Sequence, residues 1–179
     1  MSNWDKSKIF KQILALVLIS AVLGFGRAYL ISGGIEAVGK WRTMSGGDGP
    51  IIPPTADEGD PAFIDIDVAQ MEHSTGRTIF IDAREPDEFE CGTIPGSINI
   101  PFEELPEDDL EGYLNSVLDG ASKNATIVTF CSGEECDLSL HLARNMQYLG
   151  YTRVMIFFGG SREWAKFGLE VERRSNCEE

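Results

Sequence analysis

The chain has 179 residues, enough for one domain with a core plus an appendage, and a net charge of −14. The charge is uneven: residues 1–50 carry three acids (Asp5, Glu36, Asp48) against six bases, and the remainder carries 26 acids against nine bases. A domain this acidic, with no basic face, excludes nucleic acid as a partner; four cysteines without a CxxC pair and two histidines without ligand spacing give neither a disulfide scaffold nor a metal site.

Residues 1–8 form a basic N-terminal segment with Lys6 and Lys8, and Lys11 follows. From 13 to 26 the chain reads ILALVLISAVLGFG without a charge. With its flanks this run predicts a transmembrane helix over 9–31, with Lys11 and Arg27 near the edges where basic side chains reach the interface. A signal peptide is the competing reading, but Phe25, Arg27 and Tyr29 stand where a cleavage site needs small residues. Lysines ahead of the span place the N-terminus in the cytoplasm. The expected protein is therefore single-pass, tethered to the membrane, with its domain extracytoplasmic (periplasmic if bacterial) and a membrane protein as a candidate partner. Residues 32–61, which include TMSGGDGPIIPPTADEGDP, read as a Gly/Pro/acid-rich linker.

The domain is expected over 62–172, with a tail over 173–179. TIFID (78–82), TIVTF (126–130) and VMIFF (154–158) are short apolar runs of the kind buried on both faces of a sheet, and SINI (97–100) is a further short strand. A helix starting at Pro106 turns Leu110, Leu114, Val117 and Leu118 inward. Leu138, Leu142, Met146 and Leu149 repeat at helical spacing, with Asp137 as N-cap and Gly150 just past the end. Strands alternating with helices predict an α/β fold with a mostly parallel sheet.

Cys131 follows the TIVTF strand and precedes a helix. Ligands bind beyond the carboxyl ends of parallel strands, and a helix N-terminus lowers a thiol pKa and attracts anions. Cys131 is therefore a candidate nucleophile. Asp82 and Arg84 read as a charge pair fixing the loop after their strand, Pro95–Gly96 as a turn, Gly159–Gly160 as a backbone that must bend or approach something closely, and Trp164 as packing. Cys91 is expected to pack beside Phe89 and Ile94, and Cys177 to lie in an exposed, unstructured tail.

Three blocks resemble the rhodanese family: FIDAREPDEFECGTIPGSINIP (80–101), the strand–Cys131–loop–helix unit, and FFGGSREWAKFGLEV (157–171). The resemblance implies a rhodanese-like three-layer α/β fold, here preceded by the transmembrane helix. It also implies a sulfurtransferase in which Cys131 takes up sulfane sulfur as a persulfide and passes it on, with no cofactor beyond that covalent intermediate and with a protein or small thiol as donor or acceptor. The loop of Ser132, Gly133, Glu134, Glu135, Asp137, Leu138 and Ser139 departs from the family pattern. It is about two residues longer than usual, Leu138 stands where an arginine often sits, and Thr93 replaces the family's histidine. Like charges about 5 Å apart repel by roughly 3 kcal/mol at an effective dielectric of 20, so the acids should oppose thiolate formation and make thiosulfate a poor substrate. Without a cationic clamp a phosphatase reading fails. Cys136 is a candidate resolving thiol for Cys131. The alternatives are a catalytically inactive rhodanese-fold binding module and a thiol–disulfide role for Cys131 and Cys136.

Overall fold

The computed structural model describes Gln12, Ala15, residues 49–175 and Cys177. The apolar runs pair as five parallel strands, β1 (Ala62–Phe63), β2 (Ile79–Asp82), β3 (Ile98–Asn99), β4 (Ile127–Phe130) and β5 (Val154–Phe157), in the order β1-β5-β4-β2-β3. All four residues of β4 are buried, as a central strand covered on both faces requires. Alternate side chains along the strands feed two cores. Ile81, Ile127 and Ile156 pack with Leu114, Leu140, Leu142 and Met146 on one face, and Phe80, Val128, Phe130 and Phe157 pack with Ile66, Ala69 and Trp164 on the other.

Among the described residues, the outer layers are made by α1 (Ile66–Ser74), α2 (Pro86–Cys91), α3 (Leu110–Val117), α4 (Leu138–Tyr148) and α5 (Gly160–Lys166). Helix α4 matches its predicted pattern, and Gly150 after it adopts a positive φ of 89°. The helix expected from Pro106 starts instead at Leu110, because Asp109 caps it by accepting the Gly112 N–H at 2.9 Å. Helix α1 begins behind Asp65, whose carboxylate accepts the Val68 N–H at 2.9 Å.

Three expectations are corrected. Among the described residues no helix is long and apolar enough to cross a membrane. The span expected over 9–31 lies, apart from Gln12 and Ala15, outside them. That expectation rested on hydropathy alone, and the structure lends no support to a preceding transmembrane helix, a single-pass tether, a membrane or membrane-protein partner, or extracytoplasmic placement; these are withdrawn. Second, the end of the predicted linker is docked rather than free. Arg144 of α4 donates to Asp60 at 2.7 and 2.8 Å, to Asp57 at 3.0 Å and to the Thr55 carbonyl at 3.0 Å. Those hydrogen bonds hold the Asp60 carboxyl below its usual range.

Third, Cys91 and Cys177 form a disulfide, with Cα atoms 5.4 Å apart. Neither the simple packing role for Cys91 nor the unstructured tail around Cys177 holds. The chain before Cys177 is led to this point by paired backbone bonds between Thr93 and Glu172, by the Arg174 N–H on the Glu90 carbonyl at 2.8 Å, and by the Arg174 guanidinium over the Phe89 ring.

Candidate active site

Strand β4 delivers Cys131 to the carboxyl edge of the sheet, where its side chain is fully buried. The first turn of α5 fastens the backbone that follows. The Ser161 N–H reaches the Cys131 carbonyl at 2.9 Å and the Arg162 N–H reaches the Ser132 carbonyl at 3.2 Å. This contact explains the Gly159–Gly160 pair. Gly160 has φ +63°, and a Cβ there would run into the Cys131 carbonyl oxygen and stand 2.9 Å from the Gly133 nitrogen.

Between Cys131 and α4 the loop closes a turn, the Cys136 N–H donating to the Gly133 carbonyl at 2.9 Å. Glu134 and Glu135 occupy the corner of that turn and are exposed to solvent. Asp137 occupies the N-cap position of α4 but makes no side-chain cap; its carboxylate accepts the Thr55 hydroxyl at 3.0 Å instead. Leu138 opens the helix half-buried, and Ser139 behind it is buried.

The two loop thiols are both free and differ sharply in surroundings. Cys131 Sγ faces carbonyl oxygens, that of Cys136 at 2.7 Å and that of Gly133 at 3.9 Å, and is approached by the Gly133 N–H and, at 3.7 Å, by the Ser139 hydroxyl. Its hydrogen bond to Cys136, and then burial, push the Cys131 thiol far up. Cys136 is half-buried. The adjoining Cys131 side chain outweighs burial and, with the N–H groups of Leu138 and Ser132 and the Ser132 hydroxyl, lowers Cys136 to about 6. Glu134 and Glu135 stand in water, where their fields are screened, while the hydrogen bonds to the sulfurs act at contact.

Asp82 and Arg84 form the expected pair, buried and bidentate: Arg84 Nε and Nη2 reach the Asp82 carboxylate at 2.9 and 2.6 Å. Arg84 also donates to the Gly92 carbonyl at 2.7 Å, and the Thr93 hydroxyl donates to Asp82 at 2.8 Å. Thr93 thus serves as a third partner of the pair. Sequence reading noted it only as a missing histidine. It also missed Thr55, which approaches the loop from beyond the domain's expected edge, and Glu163 of α5, a buried carboxyl under Gly159. Burial, reinforced by Glu134 and Asp65, raises the Glu163 carboxyl above its usual range.

Residues 66–167 match the family model of the rhodanese-like domain. The human thiosulfate:glutathione sulfurtransferase is 35% identical over 97 residues, 51% of this chain and 82% of that protein. Among solved structures, the human single-domain sulfurtransferase superposes with a TM-score of 0.51 at 27% identity, covering 60% of this chain and 97% of that one. A Bacillus halodurans protein superposes with a TM-score of 0.53 at 26% identity, covering 63% of this chain and 77% of that one.

Proposed function

The chain belongs to the rhodanese-like domain family, and from that membership we propose that it transfers sulfane sulfur through a persulfide on the loop that carries Cys131 and Cys136. The observation that carries this reading is the pair of free thiols at the carboxyl edge of β4, the buried Cys131 and the half-buried Cys136. The thiolate attacks the outer sulfur of a donor R–S–SH. A new S–S bond forms to the protein, the donor's S–S bond breaks, and RS⁻ leaves. An acceptor nucleophile then attacks the outer sulfur of the protein persulfide, takes it, and returns the loop thiolate. Sulfur oxidation levels are only exchanged between partners, so no separate oxidant or reductant takes part.

Asp82 and Arg84, in this reading, hold the neighbouring loop in register and do not react. The loop lacks an arginine, and Glu134 and Glu135 face the solvent from which a donor arrives. That surface disfavours the thiosulfate dianion and favours a small or protein-borne persulfide donor. The test compares steady-state sulfur transfer to cyanide from thiosulfate and from glutathione persulfide, with a Cys131→Ser/Cys136→Ser double variant as control. We expect turnover with the persulfide, weak turnover with thiosulfate, and none in the double variant. Robust thiosulfate turnover overturns the donor assignment. Absence of transfer from either donor favours a catalytically silent binding module.

A further inference from the structure

Resting on the sulfur-transfer reading, we propose that the thiol that takes sulfur from the donor is Cys136, and that Cys131, the cysteine at the strand end, is a positioning residue that holds it. Three geometric observations carry this assignment.

Cys131 has no solvent-accessible surface, whereas Cys136 is only half-buried. A donor sulfur approaching from solvent can meet the second thiol and not the first.

Next, the space around Cys131 Sγ is closed. The Cys136 carbonyl oxygen lies 2.7 Å from it, and the backbone behind is clamped by the Ser161 and Arg162 N–H groups and by Gly160. An outer persulfide sulfur on Cys131 would need the Cys136 carbonyl to leave.

Finally, the polar surroundings of the two sulfurs differ. Carbonyl oxygens of Gly133 and Cys136 point at Cys131 and favour its protonated form, outweighing the Gly133 N–H and the Ser139 hydroxyl 3.7 Å away. Donors from Ser132 and Leu138 are directed at Cys136, where they suit a thiolate or a persulfide anion. The other two cysteines are joined in the Cys91–Cys177 disulfide and do not compete.

In the proposed step Cys136 S⁻ attacks the outer sulfur of R–S–SH. The Cys136–S–SH bond forms, the donor S–S bond breaks, and RS⁻ leaves with the electron pair. The Cys131 thiol keeps its proton throughout.

The test uses the full chain and glutathione persulfide as probe, quenched with an alkylating agent at short times and mapped by peptide mass spectrometry. In the wild-type protein the first sulfur is expected on Cys136, and Cys136→Ser is expected to slow loading about tenfold or more. Cys131→Ala tests the positioning role: the pH midpoint for alkylation of Cys136 should rise when the thiol that holds the Cys136 carbonyl at 2.7 Å is removed. The wild-type map needs no substitution, so misfolding of a variant leaves the assignment testable. First labelling of Cys131, loading of Cys136→Ser at the wild-type rate, or an unmoved midpoint in a folded Cys131→Ala overturns it. If neither cysteine gains sulfur, the assignment and the sulfur-transfer reading fall together; if Cys131 alone gains it, only the assignment falls.

Discussion

Cys131 was visible in the sequence as a candidate because a cysteine between an apolar strand and a capped helix has few bland explanations. What the sequence did not show is where the loop's hydrogen bonds point. That is set by backbone angles around Ser132 to Asp137, and residue identity constrains those angles weakly except at Gly133, whose φ is +150°. The consequence can be measured through pH. Cys136 is lowered to about 6, so its thiolate is present above that pH and is lost as pH falls through it. The rate of Cys136 alkylation in the native protein should therefore rise to a plateau with a midpoint near 6, and a midpoint in the usual thiol range would show that the loop donors do not act as described. Asp82 makes a second prediction. It is fully buried and answered by Arg84 and Thr93. Arg84→Ala should cost about 3–5 kcal/mol in denaturant unfolding, because it strands a buried charge. Thr93→Val should cost about 1–2 kcal/mol, because the ion pair survives it. Equal losses from the two would argue against the division of roles between them.

Among the elements, β2 to β5 and α4 were legible because their signals are strong, whereas β1, two residues long, was not. β2, β4 and β5 are short apolar runs bounded by polar residues, and α4 has four apolar positions at helical spacing. Helices α1, α2 and α5 were not predicted. Only Ile66 and Ala69 of α1 are buried, α2 has six residues, and α5 has seven and opens on a glycine, so none of them presents a periodic apolar stripe. Yet α5 is the element that fixes the Cys131 loop, through backbone N–H groups that any sequence would supply. Its sequence mark is Gly160. A Gly160→Ala substitution meets a positive φ, costing about 1–2 kcal/mol, and pushes a methyl group into the Cys131 carbonyl. We expect sulfur loading to fall well beyond what the lost stability explains, since the loop must shift. Wild-type loading with unchanged stability would show that α5 does not set the loop's position.

At the scale of the whole domain, the segments that flank it, residues 55–60 and Cys177, are tied to it. Residues 55–60 are strapped to α4 through Arg144, and Cys177 is bonded to α2 through Cys91. Neither tie was foreseen, for the same reason. Composition described the first segment as a tether, and the second pairing joins residues 86 positions apart with no local pattern to announce it. The disulfide closes a long loop, so Cys91→Ser should lower the unfolding free energy by about 2–4 kcal/mol under non-reducing conditions. Prior reduction should bring the wild type to the same value; a variant as stable as the oxidised protein would mean that the tail adds nothing to the fold. The broad assignment was more legible than these ties, because three blocks along the chain carry the family pattern in order, while the membrane reading depended on one apolar run and found no support in the structure.

The most direct test of sulfur transfer at this loop is a single-turnover measurement. The full chain is loaded with glutathione persulfide, freed of excess donor, weighed intact by mass spectrometry, and then mixed with cyanide. We predict a gain of one sulfur atom per chain, lost in the Cys131→Ser/Cys136→Ser variant and recovered as an equal amount of thiocyanate. A chain that gains no sulfur, or one whose sulfur persists in the double variant, contradicts the assignment of this loop as the site of transfer.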